Sequence, residues 1–205
     1  MTKLKGVILL VTSLFLWASC NTKSPSETTE TLKVDNVVQT EDEYKSGKWL
    51  EELPAKTPLT FNELEELLPE SLLGKPLVKV IDVSRDGMSA IKAEYSLDNE
   101  PNKESQVITF FIMDGAGNEG HKHLKSMFNS FNFPIDDEEG IDILKITDWE
   151  NKRLLVRQRQ VKEKWVSNLE FIKNLRFHLK IDAKNLNLEE IREGANVLEQ
   201  LNFPY

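Results

Sequence analysis

Cysteine is almost missing from this chain of 205 residues, with Cys20 alone. A single thiol excludes an intramolecular disulfide framework and every multi-cysteine metal site. Glycine and proline are also sparse, nine and eight residues, which excludes a collagenous or low-complexity protein. Cations are in deficit, 26 Lys and Arg against 34 Asp and Glu for a formal charge of −8. That sign does not suit a surface that must neutralise a row of phosphates, so no nucleic-acid partner is expected. Long hydrophobic runs are lacking too. The longest, residues 7–17, reaches only ~16 Å as a helix, against a hydrocarbon core of about 30 Å.

That short run nevertheless sits in a telling place. Lys3 and Lys5 precede it and no acid appears before Glu27, the charge-then-apolar order of a secretory signal. It ends at Leu16-Trp17-Ala18-Ser19-Cys20, followed by the polar stretch Asn21-Thr22-Lys23-Ser24-Pro25-Ser26. These residues are similar to a lipobox, and the chain resembles a bacterial lipoprotein of the Gram-negative type. The resemblance implies cleavage before Cys20, lipidation of its thiol, acylation of the new amino group, and attachment to a membrane of the cell envelope, facing the periplasm. Cleavage by an ordinary signal peptidase near Ala18, or retention of the apolar run as an anchor, are the competing readings. Without residues 1–19 the formal balance becomes 24 − 34 = −10.

The composition divides the chain into a signal at 1–19, a lipid anchor and disordered tether at 20–48, and a single domain at 49–205 that is expected to be monomeric. The tether is read from polar, charged sequence with no aromatic before Tyr44. Beyond it, Thr60 with Glu63 forms a capping box ahead of Leu64, Leu67 and Leu68. Alternation predicts strands over 77–84 and 89–97, joined at Asp86-Gly87. A further strand, 107–113, is apolar on both faces, as a central strand is. A helix carrying Leu124, Met127, Phe128 and Phe131 follows, then strands at 141–148, 153–161, 166–172 and 175–181. In the last, Leu175, Phe177, Leu179 and Ile181 should point inward, and Arg176, His178 and Lys180 outward. Asn187 with Glu190 opens a terminal helix. The expected class is α+β, a predominantly antiparallel sheet of six or seven strands with helices packed against it.

From Leu68-Pro69-Glu70 through Trp149-Glu150-Asn151-Lys152-Arg153 to Asn174-Leu175-Arg176-Phe177, residues 60–203 also resemble an uncharacterised group of envelope lipoproteins. The element order is similar to the PsbP/Mog1-like sandwich. Neither likeness implies a catalytic residue or a cofactor.

Candidate chemistry is sparse. Asp114, His121 and His123 bracket a glycine loop and carry ligand types that suit Zn²⁺, but a two-residue histidine spacing diverges by about 200° on a helix, so no functional metal site is expected. Gly115, Gly117 and Gly120 imitate a dinucleotide-binding fingerprint without its βαβ context, and are attributed to loop flexibility. No Gly-x-Ser-x-Gly elbow occurs, and His178 has no local nucleophile beside it. Arg153, Arg157 and Arg159 share one strand face and form a candidate interaction face for anionic headgroups, an acidic glycan or an envelope protein; cross-strand pairing with acids is the simpler account. Trp49, Trp149 and Trp165 are read as core or half-core. The function expected is a lipid-anchored binding or scaffolding module; the alternative is a small envelope hydrolase or metal-dependent enzyme.

Overall fold

The computed structural model describes residues 41–149 and 152–204. The signal, Cys20 and the tether as far as residue 40 lie outside them. Nine antiparallel strands make one sheet: β1 (Ser71–Leu72), β2 (Lys75–Asp82), β3 (Ala90–Ser96), β4 (Val107–Asp114), β5 (Asp136–Glu139), β6 (Asp142–Trp149), β7 (Lys152–Val161), β8 (Lys164–Lys173) and β9 (Phe177–Lys184). Their order is β1-β2-β3-β4-β9-β8-β7-β6-β5. Two meanders thus meet at the β4–β9 pair, where Phe110 lies opposite Ile181 and Ile112 opposite Leu179. The helices are α1 (Glu41–Ser46), a 3-10 helix (Lys48–Ala55), α2 (Phe61–Glu65), α3 (Gly117–Phe131), which links the meanders, and α4 (Leu188–Glu199).

The two faces of the sheet are finished differently. On the first, Ile91, Phe110, Ile112, Leu169, Phe171, Leu179 and Ile181 are buried beneath α2 and α4, with Leu64, Ile191, Ala195 and Leu198 from the helices. Both capping boxes form as read from the sequence, with Thr60 accepting from the Glu63 amide and Asn187 from that of Glu190. On the second face, α3 and the 3-10 helix cover only one end. There Trp49, Leu50, Leu53, Leu124, Phe128 and Phe131 close over Ala90, Met113 and Ile172. The other end of that face stays open and polar.

This asymmetry corrects the expected picture. The sheet has nine strands rather than six or seven. β1 is only two residues long, and β5 is four consecutive acids, Asp136-Asp137-Glu138-Glu139, with no apolar residue to mark it. Pairing with β6 holds β5 in place, and its exposed carboxylates suit an edge that must not pair with another copy. The last strand runs Phe177–Lys184 rather than from Leu175, and Arg176 just before it and His178 within it are buried rather than outward, because α3 covers that end of the face. Residues 41–48, expected within the tether, carry α1, and Tyr44 packs against Trp49 and Phe128 with ring centroids 6.4 and 5.6 Å away.

The β7–β8 hairpin turns on Lys162 and Glu163, with φ of 51° and 66°. Both lie in the left-handed region that favours glycine, and neither has a side chain suited to it. Glu163→Gly is therefore expected to stabilise the domain by about 0.5–1 kcal/mol, raising the thermal midpoint by roughly 1–4 °C. A melting curve showing no rise, or a fall, would contradict this account of the turn.

Candidate functional site

Asp114 ends the central strand β4 and is fully buried. Its Oδ1 accepts from Arg176 Nε at 2.8 Å and from the Ala116 amide at 2.9 Å; Oδ2 accepts from Arg176 Nη2 at 2.7 Å and from the Leu59 amide at 2.8 Å. Arg176 Nη2 also donates to the Thr57 carbonyl at 3.1 Å. All four acceptor positions of the carboxylate are thereby occupied. Asp114 is a staple fixing the 57–59 segment and the start of α3 to the sheet, and it has no lone pair left for a metal.

The glycines after it serve the same junction. A Cβ on Gly120 would overlap the Asp114 carbonyl, and one on Gly115 would overlap the Leu124 side chain. Close approach of α3 to the end of β4 requires them, in place of the loop flexibility expected from sequence. His121 and His123 leave Asp114 and go separate ways. His121 is half-buried on α3. His123 stacks on His178 of β9, with ring centroids 5.5 Å apart and planes 28° apart. Among the described residues no group of three or more His, Cys, Asp or Glu side chains is arranged to hold a metal ion.

His178 is buried, its Nε2 sharing a hydrogen bond with Glu170 Oε2 at 3.2 Å and its Nδ1 left without a protein partner. Burial, and to a lesser degree the neighbouring His178, hold the His123 pKa below the usual histidine range against the opposing charge of Glu170. Burial pushes Glu170 upward. The hydrogen bond and charge of His178, with Lys180 and Arg157 nearby, outweigh it and keep the carboxyl below its ordinary value. His178 hydrogen-bonds Glu170 and packs its ring against Phe111 and His123, and among the described residues no Ser, Thr or Cys side chain is hydrogen-bonded to it.

A concavity that combines aromatic, aliphatic and polar side chains lies on the other face of the sheet. The first half of α4 stands over β7 and β8, and β6 extends beyond its edge, leaving an open groove of about 620 Å³. Ile143, Leu154, Val156, Trp149 and Trp165 supply its apolar walls, and Lys145, Thr147, Gln158, Glu189 and Arg192 its polar groups. Several of these are already positioned. Gln158 Oε1 accepts from the Leu188 amide at 2.6 Å, and its Nε2 donates to the Ile141 carbonyl at 3.2 Å. Lys145 pairs with Glu138 of β5. The Arg192 guanidinium lies over the Trp149 ring at 5.0 Å, a cation–π contact worth ~0.5–1 kcal/mol at an exposed site. Of the three tryptophans among the described residues, Trp49 is core and the other two are half-buried on this groove.

The arginines of β7 also divide. Arg153 is committed, its Nε donating to the Phe131 carbonyl at 2.6 Å and its Nη1 lying 3.7 Å from Asp148. Arg157 and Arg159 are exposed on the open end of the second face, and neither makes an ion pair among the described residues. The cross-strand pairing expected for them does not form, because their direct neighbours across β8 are Asn168 and Val166 rather than acids.

No family model, curated protein or solved structure matches the chain.

Proposed function

We propose that this is a lipid-anchored protein of the bacterial cell envelope whose domain binds another molecule without catalysis, in the groove between α4 and β6–β8. The observation that carries the reading is the lining of that groove. Aromatic and aliphatic walls face donors and acceptors already fixed by Leu188, Ile141 and Trp149, a composition suited to holding a ligand in one orientation. The groove lies across the sheet from the His178–Glu170 pair, so that pair cannot reach anything bound there. The polar groups of the groove are the side-chain amides of Gln158 and Asn187, the Thr147 hydroxyl, the Glu189 carboxylate, the paired Lys145 and the stacked Arg192. They are suited to hydrogen bonding with an envelope protein segment or a glycan.

The test is a photo-crosslinking amino acid placed at Thr147 in the groove and, as control, at Asn129 on the outward side of α3, in cells of the native host. A discrete adduct from position 147 and none from 129 is the expected result. Equal labelling from both positions, or no adduct from 147, would remove the groove from consideration as the binding site.

A further inference from the structure

A second concavity has the opposite character to the chain as a whole. At the far end of the sheet, where the β7–β8 hairpin meets the loop after β3, a depression of about 580 Å³ is lined by Lys103, Lys162, Lys164 and Lys184, and by no carboxylate. In a protein with eight more acids than bases this is a local reversal of sign. Lys164 is paired with Glu104. Lys103, Lys162 and Lys184 make no ion pair among the described residues.

The register enlarges the patch. Lys184 of β9 and Arg159 of β7 both lie directly opposite Val166 of β8, so the two cations flank one half-buried apolar residue. Neighbouring strands are ~4.8 Å apart, which puts their backbones roughly 10 Å from each other. Beside them Val161, 44% exposed, projects next to the turn that carries Lys162, and Trp165 and Pro101 complete the apolar floor. The left-handed turn at Lys162 and Glu163 holds that lysine at the very tip of the hairpin.

We infer that this end of the domain docks on an anionic bilayer surface, its lysines and Arg159 meeting phosphate-bearing headgroups while Val161 and Trp165 enter the interfacial layer. Cations around an exposed aliphatic side chain, with a half-buried indole beside it, are the composition of an interfacial contact. The charge distribution gives the inference its edge. A chain of net −8 with no local reversal would be repelled by an anionic membrane, so a preference for one has to come from a patch such as this. The inference goes beyond the groove and does not depend on acylation.

The experiment uses the full chain carrying Cys20→Ala, so that no acyl chain contributes, in flotation with vesicles of phosphatidylcholine alone or with phosphatidylglycerol added. The readout is the ratio of partitioning into anionic over neutral vesicles, compared between the protein with its lysines intact and the lysine variants, to which Lys3, Lys5 and the apolar amino-terminal run contribute alike. A ratio well above one that falls with added salt is expected. The Lys103→Gln/Lys162→Gln/Lys184→Gln variant should lower it roughly 100-fold, about fivefold for each lysine. Should the triple variant fold poorly, the single variants Lys103→Gln, Lys162→Gln and Lys184→Gln, all at exposed positions, carry the test, each lowering the ratio about fivefold. Equal partitioning into both vesicles, a preference retained by a folded triple variant, or binding to a soluble sulfated polysaccharide without any vesicle preference would each overturn the inference.

Discussion

Asp114→Ala is expected to lower the thermal midpoint of the domain by roughly 6–20 °C, the largest effect of any single substitution within it. The carboxylate is fully buried and satisfies two backbone amides and both arms of Arg176, which is itself buried. Removing it strips a buried guanidinium of this carboxylate and orphans the Leu59 and Ala116 amides. Breaking one side of a buried pair typically costs about 3–5 kcal/mol, and a kilocalorie moves the midpoint of a domain this size by ~2–4 °C. Removing both charges together, as Asp114→Ala/Arg176→Met, is expected to cost less than the two single substitutions added together, since neither charge is then buried without the other. A double-mutant cycle measured by denaturant unfolding decides the matter. If Asp114→Ala and Arg176→Met prove independent and additive, the staple is not a unit and the account of this junction fails.

That staple also shows where the sequence stops being legible. Asp114 and Arg176 are 62 residues apart, and nothing local to either marks the pairing. Elements whose signals are local were readable. The Thr60–Glu63 and Asn187–Glu190 boxes start helices where their side chains can reach back, and Asp86-Gly87 turns a hairpin with both residues at positive φ. The order of the seven longer strands followed from alternation. β5 was not readable, because four acids have no strand pattern of their own and only pairing with β6 makes them one. His178 looked outward by alternation, yet half of that face is roofed by α3, and the roof is set by tertiary packing.

The groove has no counterpart among the expectations from sequence. Ile143, Lys145, Thr147 and Trp149 alternate onto one face of β6 in the sequence, but a strand face becomes a site only if its covering helix stops short, and the placement of α4 over β7 and β8 is not written in any local run of residues. The basic depression is the converse case. Arg157, Arg159, Lys162 and Lys164 stood out as a charge run, whereas Lys103 and Lys184 joined it only through the loop after β3 and the last strand.

Cys20→Ala is expected to abolish incorporation of a clickable fatty acid and, once membranes are washed in high salt to release contacts made by the basic end of the domain, to move the protein from the membrane fraction to the soluble fraction. Burial of acyl carbons contributes ~0.8 kcal/mol per CH₂, and two or three long chains hold a protein on a bilayer essentially permanently, whereas one chain binds only marginally. The loss should therefore be close to all-or-none. The domain itself should be indifferent, with a thermal midpoint within about 2 °C, because a substitution remote from packed features usually alters stability by under ~0.5 kcal/mol. Fatty-acid label persisting on the alanine variant would sink the assignment of Cys20. Should the variant lose its label and still sediment with membranes before the wash, the wash in high salt separates the two remaining causes. Contacts made by Lys103, Lys162 and Lys184 are screened within a Debye length of ~3 Å at 1 M and would release the protein. A retained apolar run at residues 7–17 would not release it, since salt does not weaken burial of hydrocarbon.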